Sequence, residues 1–277
     1  MTKYVNLKFR NFNSGELFEG VPSWMHSSLW LWIFNAFRRT NTYGDTLFDL
    51  ELAQAAERSL RHPIPGINWN WDASAQALAQ AFKDGKEAIY LVDFLVQHSS
   101  ASSLLELKKI LEESGSKWTV GDFGEKSAIV ERLTPETEAE FESLTSGEVS
   151  TELLLRARSH IFGLNPNPPS SYHEAVKATE AALGHLIEPN NSQATLGTIR
   201  NVIRTQGWNF ALEHKNHPEL AATLDFLCSM LWRGQKDRHA SQIEDFRDVT
   251  QQEAELAVSI SLLLVQAASR GHLVRSK

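Results

Sequence analysis

Apolar side chains recur at helical spacing along most of this chain, which predicts a mainly α-helical protein. The segment 21–37 shows the pattern clearly, because Trp24, Leu29 and Ile33 share one face behind an early Pro22. Helices are predicted over 21–37, 47–60, 73–96, 102–113, 150–162, 171–187, 196–210, 219–232 and 250–268, and a further helix begins after Thr134.

One stretch departs from helical spacing. The short apolar segments 117–120 and 127–131 flank a turn that contains Gly121 and Gly124. This arrangement is typical of a β-hairpin. Two strands alone are marginally stable in water, so we expect this hairpin to lean on neighbouring helices.

Turn-forming residues divide the chain into three predicted parts. These are a helical N-terminal domain (1–115), a hairpin with a connecting helix (116–149) and a helical bundle (150–277). From residue 171 onward we expect helices alone. Four helices with one long connection, 233–249, predict an antiparallel four-helix bundle.

The composition limits what the protein can bind. The 277 residues carry a formal net charge of −7, so the chain as a whole does not attract nucleic acid and any RNA contact must be local. The single cysteine, Cys228, excludes an intramolecular disulfide and a cysteine-rich zinc site, and it fits a reducing cytoplasm. Because no segment has the length of a signal-peptide core or a membrane span, we expect a cytoplasmic protein without membrane contact.

The chemically most informative feature is Arg233, which is followed after five residues by His239. An arginine can clamp a phosphate and offset the charge that develops in a transition state, while an imidazole transfers protons near neutral pH. Such a pair suffices for RNA cleavage without a metal. The alternative from the residues alone is structural, with Arg233 and Lys236 stabilising the carbonyl end of a helix.

The C-terminal part, about residues 150–268, resembles the HEPN superfamily of all-helical bundles. More narrowly, it resembles the abortive-infection C-terminal domain family of bacterial defence proteins. HEPN ribonucleases carry an arginine, a short run of arbitrary residues and then a histidine, and Arg233 and His239 match this motif. The flanking segments that also look like the abortive-infection type are 172–180, 194–199 and 252–257.

This resemblance implies a metal-independent endoribonuclease in which the ribose 2′-hydroxyl attacks the adjacent phosphate and leaves a cyclic phosphate. His239 would act as the acid or base and Arg233 as the charge stabiliser. Two such segments often meet across a dimer in this superfamily, which implies a homodimer through the C-terminal bundle. The resemblance also implies RNA as the substrate, with tRNA as one candidate, and a role in abortive infection or a toxin–antitoxin system. The N-terminal domain would bind a trigger or a regulatory partner.

Further residues are expected to complete this site. Phosphate contacts are expected from Lys236, Arg238 and Arg247, and supporting roles from Gln235, Asp237, Glu174 and Glu180. For the two glutamates, which could orient His239, a surface ion pair is the alternative. We expect no cofactor and no metal, because Lys177 stands where a zinc helix beginning at His173 needs its second histidine.

One position departs from the superfamily pattern. Active members often carry Asn, Asp or His directly after the arginine, where this chain has Gly234. The glycine and the acidic net charge favour an alternative, a catalytically silent HEPN-like module that binds RNA, a nucleotide or a partner protein. A third hypothesis, a purely structural helical scaffold, requires His239 to be buried or turned away from solvent.

Overall fold

The computed structural model describes residues 17–122, 127–145, 147–211, 218–234 and 248–275. The chain separates into two compact units. The first unit extends to Gly121 and also includes Ser127–Arg132, and the second contains the described residues from Leu133 onward. Each unit buries its own set of apolar side chains, so each has a hydrophobic core.

Helices make up most of the first unit. They are α1 (Ser23–Ala36), α2 (Leu50–Leu60), α3 (Trp71–Ala81), α4 (Gly85–Val96) and α5 (Ala101–Glu113). The first helix packs against α4 and α5, and α2 packs against α4. Apolar side chains with no exposed surface fill the centre of this unit, among them Met25, Leu29, Ile33, Leu91 and Leu95. The helices predicted over 21–37 and 102–113 are therefore confirmed.

Two small sheets complete the first unit. Strands β1 (Arg38–Thr40) and β2 (Thr46–Phe48) form an antiparallel hairpin. Strand β3 (Trp118–Asp122) pairs with β4 (Ser127–Glu131), which confirms the predicted hairpin. This second sheet rests on α4, where Asp93 accepts a hydrogen bond from the backbone N–H of Ile129 at 2.7 Å.

Two of the predicted helices in this unit are shorter than expected. The segment 73–96 forms α3 and α4 instead of one helix, because Asp84 interrupts it and accepts a hydrogen bond from the N–H of Lys86 at 2.8 Å. The segment 47–60 begins as β2, and its helix starts only after Asp49, which caps it in the same way.

The second unit is again mainly helical. Its helices are α6 (Pro135–Glu142), α7 (Val149–Phe162), α8 (Pro168–Ile187), α9 (Leu196–Gln206), α10 (Pro218–Gly234) and α11 (Gln251–Ser269). The central one is α8, which packs most extensively against α7 and α11 and also contacts α9. In turn, α10 packs mainly against α9. A predominantly helical C-terminal part is therefore confirmed, with α7 packed against two helices of the predicted bundle.

Buried hydroxyl groups join α8 and α11. Thr179 Oγ1 lies 3.0 Å from Ser261 Oγ, and Ser261 donates to the carbonyl of Ala175 at 2.8 Å. Further along both helices, Ala182 and Val265 line the same cleft. The contacts advance in the same direction along the two helices, so α8 and α11 are parallel. The predicted arrangement with only antiparallel neighbours is wrong for this pair, whose connection runs through α9 and α10.

The second unit also contains strands. Strands β5 (Trp208–Phe210) and β6 (Leu273–Arg275) pair in antiparallel fashion, with Phe210 opposite Leu273. The expectation of helices alone after residue 171 is wrong here. The helix predicted over 196–210 ends at Gln206, because Gly207 adopts a left-handed conformation with a φ of 68°.

Candidate functional site

The arginine of the predicted motif lies in the last turn of α10. Leu224, Cys228 and Leu231 of this helix recur at helical spacing and are buried in the core. Arg233 lies off this face and is exposed. Its charge also interacts favourably with the carbonyl end of the helix. Among the residues that the structure describes, no carboxylate forms an ion pair with Arg233.

Tyr172, near the beginning of α8, closes the end of α10. Its hydroxyl donates to the backbone carbonyls of Met230 and Leu231, at 3.1 and 3.0 Å. The carbonyl of Leu231 is among the last in the helix, which have no partner within it, so the phenol satisfies an otherwise orphaned group. Burial raises the pKa of Tyr172 to about 12, and the negative charge of Glu253 adds to this rise. The hydroxyl therefore stays protonated and able to donate.

Gly234 leaves the room that Tyr172 needs. A β-carbon at this position would fall onto the Tyr172 hydroxyl and lie 2.6 Å from Cζ of the ring. The Tyr172 ring is only 6% exposed, so it cannot move aside without displacing the side chains packed around it. In this fold, the closeness of Tyr172 therefore explains why the residue after the arginine is a glycine.

The last helix begins beside the same place. Thr250 and Glu253 form a capping box at the start of α11, in which the Glu253 carboxylate accepts from the N–H of Thr250 at 2.9 Å. The charge of Glu253 contributes to the raised pKa of Tyr172, and α11 packs against both α8 and α10. We refer to Tyr172, Arg233, Gly234 and Glu253 together as the α10-end site.

The two glutamates that were expected to support the site have contacts of their own. Glu174 lies 3.3 Å from Nε of Arg156 and 3.4 Å from Nζ of Lys177. Glu180 accepts a hydrogen bond from the N–H of Leu196 at 2.9 Å, at the start of α9. In these contacts Glu174 forms ion pairs and Glu180 caps a helix.

Most of the predicted site residues lie outside the described residues, and their positions stay predictions. These residues are Gln235, Lys236, Asp237, Arg238, His239 and Arg247. The described chain stops at Gly234 and resumes at Asp248, two residues before the Thr250 cap of α11. The distance between Arg233 and His239 accordingly stays a prediction as well.

Comparison with known proteins adds no family to this picture. No protein-family model, curated protein or solved structure matches the chain. The likeness to the HEPN superfamily therefore stays a prediction. In the described part of the chain, no helix is both long and apolar enough to cross a membrane. Within that same part, no three His, Cys, Asp or Glu side chains are grouped closely enough to hold a metal ion.

Two clefts open on the second unit. The first, of about 530 Å³, lies between the start of α7 and the ends of α8 and α11. The second, of about 570 Å³, lies between α10 and the end of α11. Described residues that line the first include Glu148, Ala182, His185 and Val265, and those that line the second include Phe210, Leu227, Leu263 and Arg270. Because α8 and α11 begin at the α10-end site, the first cleft lies at the opposite end of these two helices.

The sequence alone predicts no function for Tyr172. In the sequence, the segment 172–180 only resembles the abortive-infection type. Nothing in the sequence connects Tyr172 with the turn that carries Arg233, because about 60 residues separate them. A glycine directly after the arginine was the available signal, since it indicates that another group occupies the space of a side chain.

Proposed function

We propose that this protein is a metal-independent endoribonuclease of the HEPN type. The observation that carries the proposal is the exposed guanidinium of Arg233 on a helix end that Tyr172 closes. An arginine without a carboxylate partner among the described residues keeps its donors for a phosphate. Arg233 lies in the last turn of α10, and the segment that carries His239 follows it in the sequence.

In this proposal the RNA supplies its own nucleophile. The 2′-oxygen forms a bond to phosphorus while the bond to the 5′-oxygen breaks, which gives a 2′,3′-cyclic phosphate and a 5′-hydroxyl. His239 accepts the 2′-hydroxyl proton or donates one to the leaving oxygen. Arg233 stabilises the negative charge on the phosphoryl oxygens, with Lys236, Arg238 and Arg247 as further contacts.

The proposal includes the biological setting. Two copies of the second unit pair so that their Arg233 to Arg247 segments form one basic cleft, which offsets the acidic charge of the chain. The first unit binds the trigger or the regulatory partner. The protein then acts in the cytoplasm in abortive infection or in a toxin–antitoxin system, with tRNA among the candidate substrates.

One observation favours a second candidate function. The Tyr172 hydroxyl occupies the space after Arg233, so residue 234 has no polar side chain to offer. A module of this kind can still bind a phosphate through Arg233 without cleaving the chain. The second candidate is therefore a catalytically silent HEPN-like module that binds RNA, a nucleotide or a partner protein.

Cleavage of RNA in excess EDTA tests the first candidate. Purified protein is incubated with total RNA and with tRNA, and the new ends are analysed for 2′,3′-cyclic phosphates. We expect Arg233→Ala and His239→Ala each to lower the cleavage rate by about 100-fold or more, the scale of losing one charge-stabilising or proton-transferring group. Arg204→Ala is the matched control, because this arginine is also exposed and lies in the same unit.

The outcomes separate the candidates. Cleavage that depends on Arg233 and His239 but not on Arg204 supports the nuclease. Binding of RNA that depends on Arg233, without cleavage by any variant, supports the silent module. Neither binding nor cleavage of RNA, even after addition of extract from infected cells, overturns the nuclease and the RNA-binding form of the silent module.

A further inference from the structure

The tyrosine that closes α10 comes from a different helix. Tyr172 is the fifth residue of α8, and its hydroxyl reaches two carbonyls in the turn that carries Arg233. The aromatic ring is buried, and its hydroxyl proton is shared between carbonyl oxygens at nearly equal distances. The end of α10 is therefore attached to α8 within the same turn that carries the exposed arginine.

The space around this contact allows little variation. Gly234 cannot carry even a β-carbon without displacing the tyrosine, so the glycine and the tyrosine depend on each other. The final turn of a helix normally frays, because its last carbonyls lack partners. Here the Tyr172 hydroxyl supplies a partner in the turn from which the Arg233 side chain projects.

We infer that Tyr172 is a positioning residue for Arg233, which orients the guanidinium toward its phosphate by fixing the last turn of α10. This inference rests on the proposed function for its consequence in catalysis. Tyr172 itself does not touch the RNA, since its hydroxyl is engaged by Met230 and Leu231 and its side chain is buried.

Backbone hydrogen exchange tests the positioning without any substrate. Tyr172→Phe removes the hydroxyl and keeps the ring. We expect the protection of the Arg233 and Gly234 amides to fall about tenfold, the scale of one hydrogen bond, while amides at the centre of α10 keep theirs. The matched control is Tyr43→Phe, because Tyr43 is 89% exposed in the other unit. Equal protection of the two amides in wild type and Tyr172→Phe overturns the inference.

A second variant approaches the same contact from the other side. Gly234→Ala keeps the tyrosine hydroxyl but forces it away from the carbonyls. We expect the same loss of protection at Arg233. Unchanged protection in this variant also contradicts the inference, because it shows that the turn is held by other contacts.

Kinetics then test the consequence for cleavage. We expect Tyr172→Phe to lower kcat about tenfold at nearly unchanged KM, since a misplaced charge stabiliser affects the transition state most. In the Arg233→Ala background the same substitution has no further effect. A tyrosine that only stabilises the fold would lower activity equally in both backgrounds.

The outcomes also separate this inference from the proposed function. If the wild-type protein cleaves RNA and the two substitutions act independently, the inference is wrong and the nuclease stands. If the wild-type protein neither binds nor cleaves RNA, the proposed function is wrong. Hydrogen exchange alone then decides whether Tyr172 positions Arg233.

Discussion

Among single residues, Arg158 places a charged guanidinium in the interior of the second unit. Only 6% of its side chain is exposed, and its Nη2 donates to both oxygens of Glu138 at 2.6 and 2.7 Å. The guanidinium also lies 4.7 Å from the centre of the Phe141 ring. Its partner Glu138 is 22% exposed, so the two charges differ in their access to water.

This difference predicts an asymmetry between two substitutions. Glu138→Ala leaves a buried guanidinium without its carboxylate, so we expect the free energy of unfolding to fall by about 3 kcal/mol. Arg158→Met keeps most of the buried volume and leaves Glu138 within reach of water, so we expect a loss of only about 1 kcal/mol. Urea denaturation of both variants measures the difference. Equal losses would show that water reaches the arginine as easily as the glutamate.

The pH dependence of stability provides a test at Tyr172. Because burial raises its pKa from 10.0 to about 12, the neutral phenol stabilises the folded state below pH 10. That contribution, about 2–3 kcal/mol, is lost as the pH rises from 10 to 12. Tyr172→Phe lacks this group, so we expect its stability deficit relative to wild type to shrink over the same range. Denaturation curves at several alkaline pH values measure this, with Tyr43→Phe as the exposed control.

The sequence predicts which residue types the site contains, but not the contacts between them. Arg233 stands out because a cation follows an apolar helix, and the structure shows it exposed at the end of that helix. Tyr172 could not be found in this way, because its role depends on two carbonyl groups that every residue has. The contact requires a glycine at position 234, but in the sequence this glycine is visible only as a departure from the HEPN motif.

At the scale of elements, helices were predicted well where one apolar face recurs over several turns, as in α1, α5 and α11. The break between α3 and α4 was missed although Asp84 and Gly85 signal it, because apolar periodicity continues across them. The three-residue strands were missed for another reason. They are too short for an alternating pattern, and β5 finds its partner about 60 residues later in the chain.

The start of α11 gives a prediction that belongs to this scale. Thr250 caps the helix with its hydroxyl, and Glu253 returns a hydrogen bond to the cap. Thr250→Ala removes the side-chain half of the box, so we expect the free energy of unfolding to fall by about 1 kcal/mol. Thr250→Ser keeps the acceptor and should lose almost nothing. Thermal and urea denaturation compare the two variants, and equal losses would assign the effect to packing.

For the whole molecule, the net charge of −7 limits how the protein can hold RNA. If an RNA contacts the four predicted cations of one protomer only, namely Arg233 and its three neighbours, the logarithm of the affinity should fall with the logarithm of the salt concentration at a slope of about −3. Fluorescence anisotropy at KCl concentrations from about 50 to about 200 mM measures the slope. Arg233→Ala should reduce it by about 0.7.

A much steeper dependence would show that the cations of one protomer are not the whole RNA contact, as the proposed dimer requires. A slope of about −6 or beyond requires roughly twice as many phosphate contacts as four cations provide. Such a result would favour a surface that extends over both members of a dimer. The slope of a variant that cannot dimerise would then be expected to return to the smaller value.

The parallel pairing of α8 and α11 has a consequence during translation. At about 5–20 residues per second, α11 begins to emerge roughly 3–12 s after the end of α8, because about 60 residues lie between them. During this interval α8 can pack against α7, which has already been made, but the side of α8 that packs against α11 stays uncovered. The α10-end site also lacks Glu253 until α11 has been made. The α10-end site therefore stays incomplete until α11 has left the ribosome.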